Sequence, residues 1–198
     1  MLAVLFAMFT FSLAMSITPG PVNMIILSSG VHYGVKKTLP YISGATIGFT
    51  LLLLFIGIAF FQVIKSHPAF LNYLAIIGSL YIIYIGYKIA CSKPTIEIQK
   101  ATIPKFYQGF LLQWINPKAW IACVSGVTLF SNSDNYEKFL IFSSIYFIVC
   151  YASLVAWAVL GNQISVFLKN NIRLKIFNII MGILLIMTTV YLFFSHVT

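Results

Sequence analysis

Lys118 stands in the run GFLLQWINPKAW, Gly109 to Trp120, most of whose other residues are apolar. An ammonium group at membrane depth costs about 3 kcal/mol on insertion scales, so it needs water, a counter-charge or free carbonyls around it. Asn116 and Pro117 precede it, and proline breaks a helix because it lacks an N–H and collides with the carbonyl one turn back. The same device stands near the N-terminus. SITPGPVNM, Ser16 to Met24, sets Pro19 and Pro21 around Gly20, with Thr18 before them and Asn23 after. Freed backbone groups are tolerated in hydrocarbon only where protein or a water-filled cavity covers them. The half-helix that starts after a break offers free N–H groups and a positive dipole end, which suit a carboxylate. Lys118, Asn23, Asn116 and Gln113, one turn before Pro117, would add side-chain polarity. Other readings stay open at this point: kinks that only shape packing, a lysine that snorkels or braces carbonyls, and amides that only satisfy the backbone.

The remaining reactive residues form no constellation. Cys91, Cys123 and Cys150 make no CxxC and read as small apolar residues. A thiol–disulfide relay across a membrane needs two cysteines that can exchange. Cys123 lies six residues past Pro117, but the matching position after Pro19 is Ile25, which counts against a relay. His32, His67 and His196 are not spaced as metal ligands, and the apolar segments lack the carboxylate or imidazole clusters that a metal-ion exporter would use. No nucleophile triad or phosphate-cradling glycine loop stands out, so no enzyme activity, catalytic residue, metal or cofactor is expected. A non-transporting scaffold would leave the paired breaks and the lysine without a purpose.

The elements that must hold these residues are membrane helices. Of 198 residues, 61% are hydrophobic and 8% charged, whereas soluble domains are nearer a quarter charged. Six stretches reach the roughly 20 apolar residues that a crossing requires: Leu2 to Ser29, Leu39 to Ile64, Ala69 to Ala90, Phe106 to Phe130, Phe139 to Leu160, and Ile176 to Phe194. Between them lie GVHYGVKK, KSHP, CSKPTIEIQKATIPK, SNSDNYEK and GNQISVFLKNNIRLK. The expectation is one all-α integral membrane domain over residues 1–198. Net charge is +9, from 12 basic and 3 acidic residues. The bases are scattered rather than gathered with aromatics, so no nucleic-acid partner is expected. The first basic residue is Lys36, so the N-terminal segment lacks the positive region of a cleaved signal and reads as retained despite Ala14-Met15-Ser16. Loops one, three and five hold Lys36, Lys37, Lys93, Lys100, Lys105, Lys169, Arg173 and Lys175, with Lys88 at the margin; loops two and four hold only Lys65 and Lys138. Positive charge marks the cytoplasmic side. Both termini are then extracytoplasmic in the cell membrane.

Three spans per half make any repeat an inverted one. Pro19 and Pro117 are 98 residues apart, and the same offset carries Leu39–Ile64 onto the fifth span. This predicts repeat one at about 1–90, a cytoplasmic linker at 91–105 and repeat two at 106–198, with helices one and four broken at proline. Paired interruptions of this kind point to a transporter's binding site. GATIG, Gly44 to Gly48, has the small-xxx-small spacing of close helix packing, and Gly78 and Gly86 read alike. Tyr81, Tyr84 and Tyr87 suit interfacial anchoring.

TPGPVN, GATIG, GSLYIIYIG and GFLLQWINPKAW together resemble the LysE/RhtB family of amino-acid exporters, over the whole length of the chain. The resemblance implies efflux of amino acids or close derivatives from the cytoplasm, driven by an ion gradient, usually protons. Residue by residue it points to Thr18, Pro19, Gly20, Pro21, Asn116, Pro117 and Lys118, to which the reading above adds Asn23 and Gln113. Two positions depart from the family. Val22 stands where many members have Asn or Asp, and Phe49 and Thr50 where some have an acid. No membrane carboxylate is then on hand for a coupling proton, so another ion or water is equally open, as is assembly into a homo-oligomer.

Overall fold

The computed structural model describes residues 2–60, 66, 69–91, 103–130, 136–168 and 170–197. Among these there is no strand. The helices are α1 (Leu2–Ile17), α2 (Pro21–Phe55), α3 (Ala69–Ala90), α4 (Phe106–Ile115), α5 (Pro117–Phe130), α6 (Tyr136–Ser165) and α7 (Asn171–Val197), with a π turn at Ile56–Phe60 and a 3₁₀ turn at Val166–Leu168. Two segments, Pro21–Ala59 and Glu137–Leu168, are long and apolar enough to cross a membrane.

The 39 residues of Pro21–Ala59 would form a straight rod of about 58 Å, roughly twice the hydrocarbon thickness. The rod is divided at Gly34, whose φ of 75° and ψ of 172° interrupt the helical path. This corrects the expectation of a loop at GVHYGVKK: the residues on either side of Gly34 are helical. Glycine reaches positive φ without steric cost, so one residue does the work of a connection. The Thr38 hydroxyl donates to the Gly34 carbonyl (2.8 Å) and lies 2.8 Å from the Ser29 hydroxyl, tying the two arms together. The fifth connection is also shorter than expected. Helix α6 continues through Gly161-Asn162-Gln163 to Ser165, and α7 starts at Asn171, where the Asn170 side chain accepts from the Ile172 N–H (2.8 Å). Asparagine at an N-cap satisfies one of the orphan amides there. Glu137, expected in a loop, lies in the first turn of α6, where a carboxylate suits the dipole. Helix α3 runs from Ala69 to Ala90, the limits expected for the third apolar stretch. Most of the 91–105 linker, with Lys93, Glu97 and Lys100, falls outside the described residues, as do Lys65, His67, Asp134 and Lys169.

Packing centres on α2, which lies along α6 and α4, while α1 packs on α6 and α3 on α7. Glycines set the closest approaches. A Cβ at Gly44 would collide with the Phe106 carbonyl, and one at Gly48 would come within 2.7 Å of the Phe110 carbonyl. Gly109 abuts the Tyr41 carbonyl from the other side, so α2 and α4 touch backbone to backbone, as GATIG suggested. Gly30 against Ala158 and Gly161 against Leu27 do the same for α2 and α6. Such contacts let small residues replace the hydrophobic drive that lipid cannot supply between helices.

Candidate functional site

Helix α1 stops at Ile17 and α2 begins at Pro21, leaving Thr18-Pro19-Gly20 outside both. A helix end leaves its last carbonyls without intrahelical partners, and here side chains of other helices take them in turn. The Asn23 amide donates to the Ser16 carbonyl (2.8 Å), and the Trp157 indole N–H donates to that of Ile17 (3.2 Å). Lys118 Nζ donates to the Thr18 carbonyl (2.6 Å), the Thr18 hydroxyl (2.9 Å) and the Pro19 carbonyl (3.4 Å). An ammonium has three N–H donors, and each has an acceptor in this one break. Gly20 makes room for the lysine: a Cβ there would lie 2.9 Å from its Cδ and 3.0 Å from its Nζ. The donor side of the break is bare by comparison. No side chain caps the N-terminus of α2, and its first bond runs from the Met24 N–H to the Gly20 carbonyl (3.0 Å). The amides of Val22 and Asn23 thus lie ahead of the hydrogen-bond ladder.

The second break is one residue long and serves itself. Asn116, extended at φ −89° and ψ 110°, separates α4 from α5. Its side-chain oxygen accepts from the Lys118 N–H (3.2 Å), and its carbonyl accepts from the N–H groups of Ala119 (2.9 Å) and Trp120 (3.3 Å). Pro117 takes the first helical position of α5, where its missing N–H costs nothing. The Trp120 indole donates to the Trp114 carbonyl (2.8 Å), closing the end of α4. Gln113 instead reaches across to the Ala45 carbonyl of α2 (3.1 Å).

Both breaks open on one cavity. Pro21, Asn23, Gln113, Asn116 and Lys118 line it together. Thr18, Pro19, Gly20 and Pro117 do not; they shape the chain behind it. Of the partners open to Lys118 from sequence, the carbonyls of the opposite break are the ones it meets. The rest of the lining was not among the sequence candidates: Met15, Ser16, Val22, Phe49, Ala119 and Ala122, with Tyr146, Cys150 and Leu154 from α6. Tyr146 stacks on Phe49 at 4.3 Å and meets Phe142 edge-on at 5.8 Å. Centres of water-sized spheres fit over about 40 Å³, room for a few waters or a small polar cargo. Among the described residues, no group of three His, Cys, Asp or Glu could hold a metal ion. Cys123 and Cys150 are buried free thiols and Cys91 an exposed one.

The family model for LysE type translocators matches residues 13–196. Cysteine/O-acetylserine efflux proteins match as well. That of Escherichia coli O1:K1 is 32% identical over 125 residues, covering 63% of this chain and 64% of the relative. The protein of that name from Klebsiella pneumoniae is 26% identical over 158 residues, covering 79% and 81%. The one from Salmonella typhimurium is 30% identical over 125 residues, covering 63% and 64%. The chain therefore spans somewhat under two thirds of the Escherichia and Salmonella relatives it matches. No solved structure gives a significant match.

Proposed function

The chain belongs to the LysE type translocator family, and from that premise we propose that it is a secondary transporter in the cell membrane. It exports small amino acids or close derivatives from the cytoplasm by alternating access, driven by an ion gradient. Efflux of cysteine and O-acetylserine names the relatives, and we carry that substrate class over to this chain.

The observation that carries the reading is the joining of two helix breaks at one cavity, with Lys118 of one break bonded to the carbonyls of the other. The cargo's carboxylate sits at the uncapped start of α2, where the Val22 and Asn23 amides and the dipole favour an anion. Asn116 and Gln113 meet its amino group through their side-chain oxygens. Lys118 is shared: a cargo carboxylate competes with the Thr18 and Pro19 carbonyls for the ammonium. Occupancy then loosens the first break, and that loosening is the step by which binding biases the equilibrium between inward and outward states. Alternating access of this kind rocks one bundle against the other around a fixed site.

The architecture proposed is six spans in a 3+3 inverted repeat within one domain, the halves at about 1–90 and 106–198. Span one is α1 with Pro21 to Tyr33, and span four is α4 with α5. Support comes from α3 and α7, the third and sixth spans. They meet through Gly86 and Gly182, where a Cβ on either residue would crowd the carbonyl of the other. A residue pair in reciprocal contact is what a two-fold axis produces. The excess of Lys and Arg in loops one, three and five supports extracytoplasmic termini. No acidic residue lines the cavity, so a coupling proton would travel by water, by the lysine or with the cargo itself. One chain supplies the whole cavity, and a homo-oligomer is not needed to complete it.

The test is release of labelled cysteine, O-acetylserine and a wider amino-acid panel from loaded vesicles carrying the purified protein, with and without a proton gradient. Release of a small polar member, faster with the gradient, is expected. Release of none above that from protein-free vesicles would overturn the reading.

A further inference from the structure

We infer that Ser16 selects the cargo's side chain: with Tyr146 and Cys150 it forms a subsite for a short, uncharged side chain that ends in a hydrogen-bonding atom. This rests on the export reading above and assigns the part of the cavity that the two breaks leave unused.

Ser16, Thr46 and Ser79 carry buried hydroxyls without a hydrogen bond, and of the three Ser16 alone lines the cavity. Serine and threonine in helices commonly donate to the carbonyl one turn back. Ser12 does so to Met8 (2.7 Å), Thr18 to Ala14 (2.8 Å), Ser143 to Phe139 (2.9 Å) and Thr50 to Thr46 (2.9 Å). Ser16 lies in the last turn of α1, is 5% exposed and lines the cavity; its Oγ makes no direct hydrogen bond, with the Tyr146 hydroxyl and the Cys150 thiol close beside it. A buried hydroxyl left unpaired costs about 1–3 kcal/mol, so its position is explained if something in the cavity meets it. Its own carbonyl is held by Asn23, which fixes the backbone while the hydroxyl stays available.

The surroundings set the class of side chain. Tyr146 is held between Phe49 and Phe142, so its ring forms one wall of the subsite. The small free volume excludes bulky side chains. With Lys118 in the lining and no carboxylate, a cationic side chain would meet a like charge and no counter-charge. A hydroxyl, thiol or ester fits.

Alanine and serine differ by one polar atom, so the readout is the ratio of serine to alanine release, each as kcat/KM, from vesicles of equal protein content. The wild type favours serine, and Ser16→Ala lowers that ratio about threefold to tenfold, the worth of one neutral hydrogen bond, while alanine release persists. Ser16→Thr, which keeps the hydroxyl, retains more of the preference than its isostere Ser16→Val. That pair answers the question even if the alanine variant inserts poorly. Equal loss of both amino acids in Ser16→Ala, or no difference between the threonine and valine variants, would overturn the assignment and leave export standing. A wild type that moves neither cysteine, serine nor alanine would overturn the export reading and this assignment with it.

Discussion

The two helix breaks use the same residues, proline and asparagine, and finish in opposite ways. At Asn116 the chain steps out of helix for one residue and repairs itself with its own side chain and with Trp120. At Thr18 to Gly20 it stays out for three residues; Asn23 holds the Ser16 carbonyl from nearby, while Trp157 and Lys118 hold those of Ile17, Thr18 and Pro19 from distant helices. A locally capped end keeps its bonds whatever the rest of the molecule does. An end held by residues far away in sequence loses them when the helices shift. On the proposed mechanism the first break is the one that registers motion, and the second is the post from which Lys118 reaches.

That contrast can be broken by mutation, and the largest effect belongs to the residue that spans it. Lys118→Ala removes the charge and all three bonds to the first break, and export should fall by about 100-fold or more, using about 1.5–3 kcal/mol for each bond to a charged group. Amounts of inserted protein should be unchanged, and vesicle transport normalised to protein checks both. Asn23→Ala leaves the buried Ser16 carbonyl without its partner, and about tenfold slower export is expected in the same assay, from about 1–3 kcal/mol. Asn116 both caps α5 and lines the cavity, so its substitution should act on stability as well as on rate. Asn116→Ala loses an N-cap and should lower stability in detergent by about 1 kcal/mol, with Asn116→Asp nearly neutral; thermal unfolding monitors both. Trp157→Phe should have the smallest effect, about 0.5–1 kcal/mol for one exposed hydrogen bond. If Asn116→Ala slowed export more than Asn23→Ala at equal protein content, the two breaks would have exchanged roles.

Much of this arrangement was legible in the sequence because polarity inside apolar segments is rare. Asn23, Gln113, Asn116 and Lys118 stood out and share one cavity. The limits of α3 and the close packing at GATIG were legible too, through length and small residues. The turn at Gly34 was missed because polar residues around it, Lys36 and Lys37 among them, resemble a loop although they continue a helix on its exposed side. The wall of Phe49, Tyr146, Cys150 and Leu154 was missed for a different reason. Helix α6 is apolar on the sides facing lipid and protein alike, with Ile148 67% exposed and Phe142 fully buried. No amphipathic stripe then distinguishes its cavity face. Ser16 was quoted only as the start of a motif, and that its hydroxyl lacks the usual bond one turn back is visible only in three dimensions.

The central claim is that the cavity between the two breaks holds the amino acid. Ala122 lines that cavity on α5, and Ala122→Cys in a chain whose Cys91 and Cys123 are replaced by alanine and Cys150 by serine, which keeps a small hydrogen-bonding side chain, gives it a single thiol. The rate of modification by a small thiol reagent is then measured with and without O-acetylserine, which has no thiol of its own. Slower labelling with O-acetylserine, and unchanged labelling with lysine, is the predicted result. Equal labelling with and without O-acetylserine, in protein that still exports it, would contradict the account.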